Sequence, residues 1–192
     1  MKPRELEEWP AMIEPGMRVL DVGCGSNPSD HATVYCDRHW SADGECTAHG
    51  ATFDPACHAQ PFVVGDAQAL PFRDKAFDFV ICKHLLEHLE NPLVGCRELE
   101  RVAPMGYIEL PSVASDAIFG WPVHLWLCRK DGDMLVFSPR DSQPFWRENP
   151  GGFRGREFAE QASLRHALDE AGLWRVCHIW RGKIEARIDA SH

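Results

Sequence analysis

The chain has 192 residues, with 20 Lys and Arg against 29 Asp and Glu for a formal charge of −9, and its residues are 44% hydrophobic and 26% charged. That length accommodates one domain with a substantial core and leaves little for a second, and the composition is ordinary for a globular protein. The acidic balance argues against broad electrostatic capture of nucleic acid, and no apolar run approaches the roughly 20 residues that span a bilayer.

Residues 5–14 read as a short helix or extended arm, limited by Pro10 and Pro15. The opening segment MKPRELEEW is acidic and lacks the apolar centre of a signal peptide, so a cytoplasmic location is expected. With no export signal, the eight cysteines are expected to be reduced and mostly buried. Arg140, Arg147, Arg154 and Arg156 crowd one segment, but 15 of the 20 basic residues are arginine throughout, which favours a solvated loop over a nucleic-acid patch.

Residues 19–28, VLDVGCGSNP, read as a buried strand over 18–22 that breaks into a glycine-rich turn. Gly23 and Gly25 allow positive φ and close approach of a ligand to the backbone. The dinucleotide fingerprint G-x-G-x-x-G fails here, because Pro28 stands where its third glycine belongs and Asn27 precedes it. A second strand over 33–36 runs into Asp37 and Arg38, and a carboxylate at a strand's C-terminal edge suits a ribose diol. Residues 38–60 hold Gly44, Gly50 and Pro55 with poor helical periodicity and read as loop. Within them Cys46, His49, Cys57 and His58 match no common zinc module, and a metal-free loop is expected. A third strand over 61–64 leads into GDAQALPF at 65–72, and a fourth over 77–82 leads into KHLLEHL at 83–89.

This succession, D-x-G-x-G, G-D-A-x-x-L-P-F, F-D-x-V and L-x-E-H, resembles the class I S-adenosylmethionine-dependent methyltransferases over residues 17–111. It is most similar to the broad group that contains the ubiquinone and menaquinone biosynthesis methyltransferases. The resemblance implies S-adenosylmethionine as cofactor. Its methionine end would lie on Asp21 and the turn of Gly23, Cys24, Gly25 and Asn27, with Cys82, Lys83 and His84 beside it. The ribose would lie on Asp37 with Arg38 alongside, and the adenine by Asp66 and Ala67. The implied reaction is methyl transfer to a small molecule, at oxygen or nitrogen. Rival readings are a non-catalytic cofactor-binding or partner-binding module, and a methyltransferase acting on protein or RNA. Neither a nucleic-acid nor a membrane partner is expected, and the sequence leaves the oligomeric state open.

Farther along, residues 93–102 have helical spacing, 103–106 read as a turn and 107–111 as the fifth strand. Residues 112–155 are too long for a simple connection and contain a hairpin over 124–130 and 133–137, turning at Asp131-Gly132. With Trp121, Trp126 and Trp146 inside it, this insertion is expected to form the acceptor side or a lid. An amphipathic helix over 156–171 ends at Gly172, and strands over 174–180 and 183–188 turn at Arg181-Gly182, matching the family's antiparallel seventh strand. The expected fold is therefore a single α/β domain over 1–192. It has a Rossmann-like, mostly parallel seven-stranded sheet with an antiparallel last strand, helices on both faces and a β-hairpin inserted after strand five.

Methyl transfer is an in-line displacement that needs alignment and exclusion of water, with a base only where the acceptor carries a proton at neutral pH. His84, His88 and His124 are the candidate bases. His84, Glu87 and His88 share one helical face at i, i+3 and i+4. The bare pattern H-x-x-E-H also occurs in zinc peptidases, a reading that ignores the flanking strands. Some relatives hold a divalent ion with E-x-x-E-H at this station, but His84 stands here in place of the first acid. No bound metal is expected, with Glu87 and His88 as capping or packing residues.

Overall fold

The computed structural model describes residues 3–25, 27–38, 60–148 and 162–189, with backbone only at 144–145 and 162–165. The Cys46, His49, Cys57 and His58 set lies outside the described residues, as do Arg154 and Arg156. In chain order the structure runs through α1 (Arg4–Glu8), β1 (Val19–Val22), β2 (Val34–Asp37), β3 (Phe62–Val64), β4 (Phe79–Lys83), α2 (Pro92–Val102) and β5 (Met105–Pro111). It continues through α3 (Val113–Phe119), β6 (Trp126–Asp131), β7 (Met134–Pro139), α4 (Pro144–Glu148), α5 (Ala162–Glu170), β8 (Arg175–Arg181) and β9 (Ala186–Ile188).

Six strands form the main sheet in the order β3-β2-β1-β4-β5-β8. The first five are parallel, and β8 runs antiparallel to β5 over the whole span from Met105 opposite Arg181 to Pro111 opposite Arg175. Alternation along each strand divides the side chains between two faces. Leu20, Val22, Val80, Cys82, Ile108 and Leu110 pack on one side with Cys96, Leu99 and Val102 of α2. Val19, Phe79, Ile81 and Tyr107 pack on the other with Trp9, backed by Leu6 of α1. Because both faces are covered, the central strands read as nearly continuous apolar runs, as parallel sheets require. The six described cysteines are buried free thiols.

The C-terminal arrangement corrects the expected seven-stranded sheet. The last strand does not return against β8; β9 runs parallel to β7 in a second sheet of order β6-β7-β9. After the turn at Gly182, Ile184 is buried against the α2 face and its backbone N donates to Glu100 Oε1 at 2.6 Å, which draws the chain off the sheet edge. The inserted hairpin is present as β6 and β7. Asp131 pairs with Met134, so its two-residue loop is Gly132-Asp133, one position beyond the expected turn, with Gly132 at φ +59°. Residues 103–106 also differ from expectation: Met105 and Gly106 belong to β5, because the bare Gly106 lets Val80 and Trp180 pack directly onto the strand.

Candidate active site

The C-terminal edges of β1, β2 and β4 open into a cavity of about 340 Å³, within the size range of small-molecule pockets. Its lining includes Gly23 and Gly25 from the first turn, Asp37 and Arg38 after β2, Gly65, Asp66 and Ala67 after β3, and His84 and Leu85 after β4. His88, Leu89 and Val123 complete the wall on the side of the insertion.

The first turn is shaped by two positive-φ glycines, Gly23 at +69° and Gly25 at +50°. Gly23 N donates to the Cys36 carbonyl at 2.8 Å and Gly25 N to Asp37 Oδ2 at 3.0 Å, which ties the turn to β2. Asp21 lies beneath, wholly buried, and its Oδ2 accepts from Ser29 N at 2.7 Å. Burial pushes its carboxyl up to about 6, against the opposing pull of the Ser29 hydrogen bond. Across the cavity, Asp66 Oδ1 accepts from Gln68 N at 2.8 Å, which fixes the tight turn that presents Asp66 and Ala67.

His84 sits at φ +52°, a conformation that costs a non-glycine residue about 1–2 kcal/mol. It is fastened to β5 twice, with its N donating to the Glu109 carbonyl at 2.8 Å and its Nε2 lying 3.1 Å from Glu109 Oε1. Burial alone would lower its pKa, but Glu109 and Glu87 outweigh that and raise it to about 9. Both carboxylates thus favour the protonated imidazolium of His84. Glu109 also accepts from Tyr107 Oη at 2.7 Å and from Arg175 Nη1 at 2.9 Å, and these partners overcome burial to hold its carboxyl down to about 2.

At the insertion end, Leu86–His88 form a 3-10 turn rather than the start of a longer helix. Glu87 points inward and is fully buried. Burial raises its carboxyl pKa, but the histidines around it, His84 foremost, pull it below the usual range. His88 Nε2 lies 3.7 Å from Glu87 Oε1, and His88 Nδ1 lies 3.1 Å from the Val123 carbonyl. The insertion brings His124 edge-on to His88, with ring centroids 4.8 Å apart, while His124 Nδ1 engages the buried Asp116 Oδ1 at 2.6 Å. The insertion is docked by backbone: Leu125 N donates to the Glu87 carbonyl at 2.8 Å, and Trp126 Nε1 donates to the Leu89 carbonyl at 2.8 Å. Trp126 is thus a strut beneath the turn, outside the cavity lining.

Of the expected cofactor residues, Gly23, Gly25, Asp37, Arg38, Asp66, Ala67 and His84 line the cavity. Cys24, Cys82 and Asp21 are buried, Asn27 is exposed, and neither these nor Lys83 are part of the lining. Of the candidate bases, His88 lines the cavity and His124 stands behind it. Sequence reasoning missed Leu85, Leu89 and Val123 as wall residues. The first two follow directly from the strand end, but Val123 comes from the insertion and has no local signature.

Residues 20–109 match the methyltransferase domain family. A demethylmenaquinone methyltransferase of Corynebacterium efficiens is 32% identical over 95 residues, covering 49% of this chain and 40% of that protein. One of Mycobacterium tuberculosis is 29% identical over 167 residues, covering 83% of this chain and 68% of its own length. The chain therefore spans about two fifths of the first relative and about two thirds of the second. The YcgJ protein of Bacillus subtilis, of known structure, aligns over 56% of this chain and 50% of its own, with 22% identity and a TM-score of 0.43.

Proposed function

We propose that this chain is a class I S-adenosylmethionine-dependent methyltransferase, a reading supported by the match of residues 20–109 to the methyltransferase domain family, and that it transfers the cofactor's methyl group to an oxygen or nitrogen of a small molecule. The observation that carries this reading is the cavity itself. Two positive-φ glycines and the Asp37 carboxylate form one wall, and the Asp66-Ala67 turn forms another, at the carboxyl edge of a parallel sheet. That is where an open α/β sheet binds its ligand.

In this reading Asp37 receives the ribose hydroxyls. A carboxylate that already takes the Gly25 N–H at 3.0 Å has capacity for further donors. The bare backbone of Gly23 and Gly25 lies against the methionine portion, and the Asp66-Ala67 turn meets the adenine. The methyl carbon then faces the insertion end, where Leu89, Val123 and His88 form the wall. With the cofactor bound, the acceptor's lone pair would form the new bond to the methyl carbon as the carbon–sulfur bond breaks, the sulfur leaving as a neutral thioether and any proton on the acceptor atom passing to water. Alignment and exclusion of water are the main work of the protein here. Both relatives are named for a small-molecule acceptor, a demethylmenaquinone.

Calorimetric titration with S-adenosylhomocysteine tests the proposal. The parent chain should bind it, and Asp37→Ala should weaken binding by about 1.5–3 kcal/mol, the cost of losing a charged acceptor. Unchanged affinity in that variant would refute the ribose assignment. Binding of NAD in place of S-adenosylhomocysteine would refute the cofactor.

A further inference from the structure

Glu87, His88 and His124 present an arrangement that neither the motif spacing nor methyl transfer accounts for. Glu87 is completely buried, and neither of its carboxylate oxygens has a hydrogen-bond partner among the described residues. A buried carboxylate without hydrogen bonds costs several kcal/mol, and the nearest cation, His84, stands 3.6 Å from Oε1 and leaves Oε2 without a partner among the described residues. One donor atom from each of Glu87, His88 and His124 can be chosen so that all three lie within 4.8 Å of one another.

The histidines are oriented by what holds their other nitrogen. His88 Nδ1 lies 3.1 Å from the Val123 carbonyl, which can only accept, so in the neutral ring Nδ1 carries the hydrogen and Nε2 the lone pair. That Nε2 is the atom 3.7 Å from Glu87 Oε1. His124 is fixed in the same way, with Nδ1 on the buried carboxylate of Asp116 at 2.6 Å. A lone pair facing a carboxylate is repulsive unless a proton or a metal ion lies between them. Imidazoles pinned through one nitrogen by a carbonyl or carboxylate are how proteins aim the other nitrogen at a metal.

We propose that Glu87, His88 and His124 form a binding site for a divalent transition-metal ion, with two imidazole nitrogens and one carboxylate as protein ligands and the remaining positions open to solvent or an acceptor oxygen. Two nitrogens and one oxygen suit zinc, manganese, iron or cobalt, and suit calcium and magnesium poorly. His84 is not a ligand. Its two nitrogens engage Glu109 and Glu87, so the donor set differs from the one that helical spacing suggested, and the third ligand comes from the insertion. This departs from the metal-free expectation for the turn. Because His88 also lines the cofactor cavity, an ion here borders the acceptor end. On the methyl-transfer reading, the acceptor is then a hydroxyl compound. Its oxygen binds the ion and loses its proton to bulk water, and a lone pair of the resulting alkoxide or phenoxide forms the carbon–oxygen bond as the carbon–sulfur bond breaks.

The test uses the full chain, stripped with a chelator and titrated with Zn²⁺ by calorimetry and with Co²⁺ by visible absorption. One equivalent should bind without thiolate charge-transfer bands, and His88→Gln and His124→Gln should each weaken binding at least tenfold. Cys46→Ser with Cys57→Ser should leave this site unchanged. No binding would overturn the proposal, as would binding that carries thiolate bands and survives both histidine variants. Melting curves accompany each variant; if His124→Gln unfolds, the partly exposed His88→Gln decides. S-adenosylhomocysteine is titrated in the same samples, so metal binding without cofactor binding refutes the proposed function alone, and the converse refutes the metal site alone.

Discussion

Alanine at Gly23 and at Gly25 separates backbone strain from crowding in the first turn. Both glycines lie at positive φ, +69° and +50°, so a side chain at either costs about 1–2 kcal/mol in conformational strain. They differ in the space around them. A Cβ on Gly23 would lie 2.8 Å from both Leu85 methyl carbons, whereas on Gly25 the nearest atom is the Gly23 carbonyl oxygen at 4.0 Å. Gly25→Ala should therefore lose about 1–2 kcal/mol, and Gly23→Ala a further 1–3 or so as Leu85 is forced aside. Removing the obstacle should restore part of that loss. In a double-mutant cycle, Leu85→Ala should be less harmful in the Gly23→Ala background than in the parent, by about 1–2 kcal/mol. Urea unfolding of the parent and four variants without cofactor measures these differences, and each kcal/mol corresponds to about 2–4 °C in Tm for a chain of this size. Equal stability of the two glycine variants, or strict additivity with Leu85→Ala, would refute the reasoning.

Asp21 binds its proton more tightly folded than unfolded, since burial moves it from 3.8 to about 6. Its unfavourable contribution is thus full above pH 6 and fades as pH falls toward 3.8, so Asp21→Asn, which keeps an acceptor for Ser29 N, should be the more stable protein at pH 7.5 by about 2–3 kcal/mol. Unfolding at pH 7.5 and pH 4 checks this, and a gap that does not shrink at the lower pH would contradict it. At Gly106 a Cβ would fall 2.3 Å from the Val80 carbonyl oxygen, a backbone atom of the paired strand that cannot move without opening the sheet. Gly106→Ala should therefore lose more than about 4 kcal/mol and yield little folded protein, and a variant melting near the parent would show that the β4–β5 pairing is wrong.

What the sequence revealed and what it concealed divide along the range of the forces involved. The strands ending at Val22, Asp37, Val64 and Lys83 were legible because strand alternation and glycine-turn chemistry act over a few residues, and so the cofactor side of the cavity was legible too. The larger departures are set from a distance. Gly106 reads as a turn residue until Trp180, 74 positions later, packs on it. The last strand reads as a return hairpin until the Ile184 N–H finds Glu100 and the chain moves to a second sheet.

His124 is the most consequential case. Residue type alone made His124 a candidate base, but only the docking of its hairpin on the Leu86–His88 turn brings it beside Glu87. His124 is followed two residues later by Trp126, whose indole nitrogen fastens the same hairpin to the Leu89 carbonyl. The residue that seats the insertion and the residue it delivers are thus two positions apart at the strand entry, which is why truncation of Trp126 and loss of the His124 contact should appear together. Trp126→Phe keeps an aromatic ring but removes that hydrogen bond, worth about 1 kcal/mol, along with part of the packing. If the hairpin is what delivers the third ligand, this variant should weaken Co²⁺ binding while leaving S-adenosylhomocysteine affinity near that of the parent; an equal fall in both would mean that the hairpin supports the whole cavity and delivers no separate site.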